Sequence, residues 1–140
     1  ILGPDGALNR EAMAGLVFRD AQARRDLEAI IHPAVYQAIS EWFHTLDRNA
    51  GVADIPLLFE TGREGDFDVV LVAACRPDQQ LARLMARNGL SEADARARIA
   101  AQWPLADKVA RADYVIDTSG TLDQTDANTK QAWAAIRQDT

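Results

Sequence analysis

Val69-Val70-Leu71-Val72-Ala73-Ala74 is an apolar run of strand length with no polar residue at alternate positions. Strands covered on both faces, as in parallel sheets, read this way, whereas a strand with one wet face alternates. Directly after it, Pro77 and Asp78 open a helix with Leu81, Leu84 and Met85 inward and Asn88-Gly89 closing it. Ser91-Glu92-Ala93-Asp94 resembles a capping box with Asp in place of Glu and starts a further helix expected to run to about Trp103-Pro104. A short helical piece over 105–111 leads to a second strand, Tyr114-Val115-Ile116, ended by Asp117-Thr118-Ser119-Gly120. Thr121 is placed to cap a last helix with Leu122, Trp133 and Ile136 on its apolar side. Strands alternate with helices, which predicts an α/β domain with a mainly parallel sheet.

Upstream of the run, Val52-Ala53-Asp54-Ile55 reads as another strand leading into Pro56-Leu57-Leu58-Phe59-Glu60. Residues 1–50 form a helical block. Gly3-Pro4-Asp5-Gly6 is a turn, and Asn9 caps a short helix whose Met13, Leu16 and Val17 share a face. Asp20 starts a second helix bearing Leu27, Ile30 and Ile31, expected to stop at His32-Pro33 because the residue before proline is pushed out of helical geometry. Pro33 then opens a third, with Val35, Tyr36, Ile39, Trp42, Phe43 and Leu46 at helical spacing and Gly51 as its stop. No repeat or linker interrupts the chain, which at 140 residues and 48% hydrophobic suits one globular domain.

With Lys and Arg numbering 15 against 21 Asp and Glu, the net charge of -6 excludes a general affinity for nucleic acid or anionic membrane. An anionic small substrate would need a local basic patch. The lone Cys75 permits no internal disulfide and points to a reducing compartment, the cytoplasm. No apolar run reaches the roughly 18 residues of a membrane span, and the opening Ile1-Leu2-Gly3-Pro4 has no signal-peptide pattern. That opening, without an initiator Met, reads as a loop inside a longer gene product.

In open α/β sheets ligands bind at the carboxyl ends of the strands, which selects the loops over 54–60, 74–77 and 117–120. Leu57, Leu58 and Phe59 beside Pro56 suit either a wall for an apolar ligand part or plain core. Arg83 and Arg87 on one helix, with Arg96 and Arg98 on the next, suit either phosphate binding or a solvated, salt-bridged face. The two histidines, His32 and His44, and Cys75 show neither metal-ligand spacing nor a nucleophile-base arrangement, and His32 reads as a helix terminator.

Several segments, in this order and spacing, resemble bacterial dephospho-CoA kinase: Asp5-Gly6-Ala7-Leu8-Asn9-Arg10, the Leu27-Glu28-Ala29-Ile30-Ile31-His32-Pro33 run, Asp54-Ile55-Pro56-Leu57-Leu58-Phe59-Glu60, Gln80-Leu81-Ala82-Arg83-Leu84-Met85-Ala86-Arg87, Gly89-Leu90-Ser91, Ala95-Arg96-Ala97-Arg98-Ile99-Ala100-Ala101-Gln102, and Ala112-Asp113-Tyr114-Val115-Ile116-Asp117. The resemblance implies a three-layer P-loop kinase fold with a parallel sheet, a helical region over 1–50 that binds dephospho-CoA, and a helical lid over 77–103. It implies ATP-dependent phosphorylation of the ribose 3′-hydroxyl of dephospho-CoA, with Mg2+ accompanying ATP. Arg83 becomes the lid residue that contacts ATP phosphates and stabilises the migrating phosphoryl group, with Arg87 and Arg98 as further candidates for the same charge. Thr118, Ser119 and Gly120 fall near adenine, while His32, Asp54, Pro56, Leu57, Leu58 and Phe59 fall near the acceptor.

The chain departs from the family pattern in having no G-x-x-x-x-G-K-[ST] and no acidic segment to supply the carboxylate at the ribose hydroxyl. Both, with the first two strands and the main holders of Mg2+, are expected upstream of Ile1, so the chain alone is expected to be an inactive, N-terminally incomplete kinase domain. The catalytic base and the oligomeric state have no sequence signal. Two other readings stand beside this one: a different small-molecule P-loop kinase acting on a nucleotide or sugar acid, and a non-catalytic remnant that binds a ligand or protein.

Overall fold

The computed structural model describes residues 1–17 and 19–139, and the chain divides into two compact units, residues 1–54 and 55–140. The second unit holds the sheet. Its two strands, β1 (Leu71–Ala74) and β2 (Tyr114–Asp117), pair in parallel with Leu71 opposite Tyr114 and Ala74 opposite Asp117. Between them run α3 (Pro77–Asn88), α4 (Glu92–Ala100) and α5 (Leu105–Val109), and α6 (Leu122–Asp139) follows β2. The alternation of strand and helix read from the sequence is therefore present, and the pairing is parallel as expected.

Local signals set most helix ends. Pro77 takes the first turn of α3, where its missing N–H has no helical partner to lose, and Gly89 closes the helix at φ 62° with its N–H on the Met85 carbonyl. Ser91 caps α4 by accepting from the Asp94 N–H, and the Asp94 carboxylate accepts from the Ser91 hydroxyl at 2.6 Å rather than from its backbone. Thr121 and Gln124 form a reciprocal box on α6, the Gln124 N–H donating to the Thr121 hydroxyl and the Thr121 N–H to Gln124 Oε1.

The core joins Phe59, Val70 and Val72, with Leu58, Trp103, Leu105, Val109 and Ala112 packed against them. Phe59 stacks on Trp103 with ring centres 6.2 Å apart. Immediately before the ladder, Val70 is clamped by Asp113: its N–H donates to the Asp113 carboxylate at 2.8 Å and its carbonyl accepts the Asp113 N–H at 2.9 Å. On β2, Ile116 is buried, and Ala132 is a buried position of α6, which packs on that strand.

Four expectations for this unit are corrected. The run of β1 does not have both faces covered: Val72 is buried while Leu71 is 39% exposed, and on β2 Ile116 is buried while Val115 is 43% exposed. Each strand receives its cover from one side, β1 from the Phe59 cluster and α5, β2 from α6. α6 presents only part of the face that periodicity predicted: Ile136 is half-buried one turn from the buried Ala132, but Leu122 and Trp133 face outward. Leu122 is 88% and Trp133 44% exposed, while on the docked side Asn128 Nδ2 donates to the Asp117 carbonyl at 2.8 Å. α4 ends at Ala100, short of Trp103, whose ring is taken up by the Phe59 stack. The strand expected over 52–55 has no ladder partner among the described residues. After Pro56, which has no N–H to pair, the chain instead winds into a helical turn. Thr61 N–H donates to the Leu57 carbonyl, and the turn closes as a Schellman motif, Arg63 N–H on the Leu58 carbonyl and Gly62 N–H on that of Phe59, with Gly62 at φ 63°.

The first unit holds α1 (Arg10–Val17), capped by Asn9 accepting from the Ala12 N–H, and α2 (Ala21–His44), capped by Asp20 accepting from Gln22 and Ala23. Contrary to the break expected at His32-Pro33, α2 passes through Pro33 without interruption. The proline removes one donor and strains one turn, a loss of about 3 kcal/mol, while capped ends and continuous turns on either side carry the helix through. The stop is also earlier than Gly51: Thr45 ends the helix, its N–H shared between the Glu41 and Trp42 carbonyls and its hydroxyl on Trp42 as well. Gly51 serves the return of the chain instead, since a Cβ there would stand 2.7 Å from a Phe43 ring carbon and 2.5 Å from Leu46 Cδ1.

Candidate active site

The carboxyl ends of β1 and β2 carry a polar cluster assembled by backbone geometry. Thr118, one residue past β2, donates both its N–H (2.7 Å) and its hydroxyl (2.9 Å) to the carbonyl of Ala74, the last residue of β1. Ser119 N–H turns back to Asp117 Oδ1 at 2.8 Å. That backbone hydrogen bond, then one from the Ser119 hydroxyl, hold the Asp117 carboxyl below its ordinary range, aided by the charge of Arg76. Gly120 completes the loop where a Cβ would stand 2.9 Å from Gln124 Cδ, so a side chain there would disturb the side chain that boxes the start of α6.

α3 pins this loop from the side. Gln79 Nε2 donates to the Ser119 carbonyl at 2.8 Å, and Arg83, one turn further along, donates from Nη2 to the Thr118 carbonyl (2.8 Å) and from Nη1 to the Thr118 hydroxyl (3.3 Å). Arg83 thus meets Thr118, and Gln79 meets Ser119; the Arg83 guanidinium is a planar fork that is exposed and chemically matched to phosphate oxygens. Arg87 and Arg98 are exposed, and Arg87 donates to Asn88 Oδ1 at 3.1 Å. Arg96 is paired with Glu92 at 2.7 Å, the salt-bridged reading of that face.

Segment 54–60 is split in character. Asp54, at the end of the first unit, and Pro56 are exposed, and Leu57 is half-buried. Leu58 and Phe59 belong to the core, Phe59 with only 5% exposure. Glu60 turns inward: its Oε1 accepts from Lys108 Nζ at 2.7 Å and from the Trp103 N–H at 2.8 Å. Burial raises the affinity of this carboxyl for a proton, but hydrogen bonds from Lys108, the Trp103 backbone and its own backbone, with the charge of Lys108, outweigh it and hold Glu60 below its ordinary value. His32 is half-buried within α2 of the first unit.

Sequence reasoning passed over Gln79 and Lys108. Gln79 shares a helix face with Arg83, and the pair could have been read as two donors aimed at one loop. Lys108 lies on α5 beside Leu105 and Val109, which pack on the core, and a lysine on an apolar face calls for a carboxylate partner.

These features define an α/β protein whose polar loop at the carboxyl edge of a parallel sheet is held by an arginine from α3, the helix after β1. Residues 1–124 match the family profile described as dephospho-CoA kinase. The chain is 46% identical over 138 residues to the dephospho-CoA kinase of Symbiobacterium thermophilum, across 96% of this chain and 58% of that protein, and 45% identical over 144 residues to that of Cutibacterium acnes, across 97% and 61%. Among solved structures, a Thermus thermophilus protein superposes with a TM-score of 0.80 at 37% identity, covering 93% of this chain and 68% of that one. The dephospho-CoA kinase of Campylobacter jejuni follows with 0.66 at 27%, covering 99% and 71%. The chain belongs to the dephospho-CoA kinase family. It spans 58% to 61% of the length of the two curated relatives named above.

Proposed function

We propose that this chain takes part in ATP-dependent phosphorylation of the ribose 3′-hydroxyl of dephospho-CoA, the last step of coenzyme A biosynthesis, in the cytoplasm. The observation that carries this reading is the exposed Arg83 fork on the carbonyl and hydroxyl of Thr118 at the sheet's carboxyl edge, in a chain of this family. In the reaction the bond between the γ-phosphorus and the β,γ-bridging oxygen breaks, a bond to the 3′-oxygen forms, and the hydroxyl proton leaves. Negative charge spreads over the equatorial oxygens, so a positioned cation accelerates transfer chiefly by electrostatics.

Arg83 is assigned that cation. Its hydrogen bonds to Thr118 are exchangeable for phosphate oxygens of the same acceptor character. Thr118, Ser119 and Gly120 are assigned to the adenine side, and the exposed Arg87 and Arg98 to supplementary positive charge as the hairpin over 77–103 closes as a lid. On the acceptor side the assignments are made unit by unit: His32, within a helical dephospho-CoA-binding region over 1–50, and Asp54 after that region, both on the first unit, and Pro56 and Leu57 on the second, backed by Leu58 and Phe59 from the core. The wider architecture proposed is a three-layer P-loop kinase fold.

Mg2+ accompanies ATP in this proposal, but among the described residues no group of His, Cys, Asp or Glu side chains is arranged to hold a metal ion. The residues of this chain are therefore given no part in binding it. No helix among the described residues is long and apolar enough to cross a membrane. The test is transfer of labelled γ-phosphate from ATP to dephospho-CoA, with nucleoside monophosphates and sugar acids as competing acceptors, by the protein its gene encodes. Selective labelling of dephospho-CoA supports the proposal. Labelling of another acceptor, or of none by a folded protein, overturns it.

A further inference from the structure

Lys108 is a lysine with a side chain only 12% exposed, set against a Glu60 side chain exposed to 15%. A lysine this deep is retained where its charge has a defined task or partner. Its Nζ makes contacts to two points of a single turn, Glu60 Oε1 at 2.7 Å and the Pro56 carbonyl at 3.3 Å. The same Glu60 oxygen takes the N–H of Trp103, where the helical hairpin returns to the body of the unit, and the Trp103 ring lies on Phe59. One helix turn along, Arg111 repeats the arrangement, its guanidinium 4.8 Å over the Trp103 ring and 3.5 Å from Glu64.

We propose that Lys108 is a positioning residue for the acceptor: by holding Pro56 and Glu60 it fixes the turn that presents Pro56 and Leu57, and through Glu60 it ties that turn to Trp103 at the root of the hairpin. The proposal rests on the acceptor-side assignment made above. Lys108 touches no substrate in it. Its charge acts through the turn, whose own hydrogen bonds from Thr61, Gly62 and Arg63 N–H groups close on Leu57, Phe59 and Leu58. Removing the ammonium leaves Glu60 Oε1 with Trp103 alone and frees the Pro56 carbonyl, so the turn loses its fixed distance from α5.

The experiment compares Lys108→Met, which keeps the apolar stem, with Lys108→Arg, which restores a donor, in the protein its gene encodes. Two readouts are taken: KM for dephospho-CoA and for ATP, each at saturating co-substrate, and hydrogen exchange at the amides of Thr61, Gly62, Arg63 and Trp103. Expected for Lys108→Met is a rise in dephospho-CoA KM of roughly tenfold, ATP KM held within about twofold, and faster exchange at those amides, with Lys108→Arg recovering most of both effects. Equal changes in the two KM values, or unchanged exchange at those amides, overturn the proposal. A wild-type protein that does not phosphorylate dephospho-CoA removes the proposed function. The exchange comparison then decides the tie by itself, faster in Lys108→Met for a tie and unchanged against it. Should Lys108→Met fail to fold, Glu60→Gln keeps one acceptor oxygen while removing the carboxylate charge, and a smaller shift in the same direction is expected.

Discussion

Replacing Phe59 by Ala tests whether the apolar segment after Pro56 is wall or core. The ring is 5% exposed, stacks on Trp103 at 6.2 Å, and is one of the residues on which the small core of the second unit is built. Removing a buried aromatic ring opens a cavity and forfeits its transfer free energy, typically about 3–5 kcal/mol. The neighbours Leu58, Leu105, Val109 and Ala112 are only partly buried and can relax inward, which places this site at the lower end, about 3 kcal/mol. For a unit of this size each kcal/mol shifts Tm by about 4–8 °C, so a fall of roughly 12–24 °C is expected. Phe59→Leu keeps most of the apolar volume and should lose about 1 kcal/mol. Both variants are compared with wild type by urea denaturation followed at the tryptophans and by thermal melting. A Phe59→Ala protein within about 1 kcal/mol of wild type that selectively loses dephospho-CoA affinity would refute the core assignment and return the ring to the ligand.

Three further outcomes are expected. Arg83→Ala should lower kcat by on the order of 10³, with Arg83→Lys recovering only part because a point charge lacks the guanidinium fork; steady-state kinetics checks this, and unchanged kcat would remove Arg83 from the transition state. Glu60 gains stability from a carboxyl held below its ordinary value of 4.5, a contribution complete above that value and lost as pH falls through the lower folded value. The stability gap between wild type and Glu60→Gln, read as urea midpoints from pH 7 to pH 3, should therefore be flat down to about pH 5 and narrow below; a gap independent of pH contradicts the Lys108 pairing. Gly62→Ala forces a side chain onto a residue at φ 63° in the Schellman closure and should destabilise by about 1 kcal/mol, whereas Gly65→Ala, with open space around its Cβ position, should change stability far less in the same denaturation assay.

Features that depend on a few consecutive residues were readable without coordinates. Asn9, Asp20, Ser91 and Thr121 cap helices in the structure as their side chains predict, and Pro77 and Gly89 bound α3, because a cap satisfies backbone groups within one turn of itself. The strands of β1 and β2 and their parallel sense followed from the apolar run and from the helices between the strands. Arg83 and the Thr118–Gly120 loop were singled out by resemblance, and the structure supplies the hydrogen bonds that join them.

Tertiary structure decided what depends on partners far along the chain. A strand is defined by the backbone beside it, so 52–55, apolar enough for one, has no ladder among the described residues, and 57–61 follows the helical turn that Gly62 can close. A helix face is chosen by what it docks on, so α6 turned its Asn128 rather than Leu122 toward β2. Pro33 weakens a helix locally, yet whether the chain breaks there is settled by the sum of contacts and caps over all of α2. The pairing of Glu60 with Lys108 is the clearest case: the two are brought together by the packing of α5 against β1, and their charges resist burial apart and tolerate it only together.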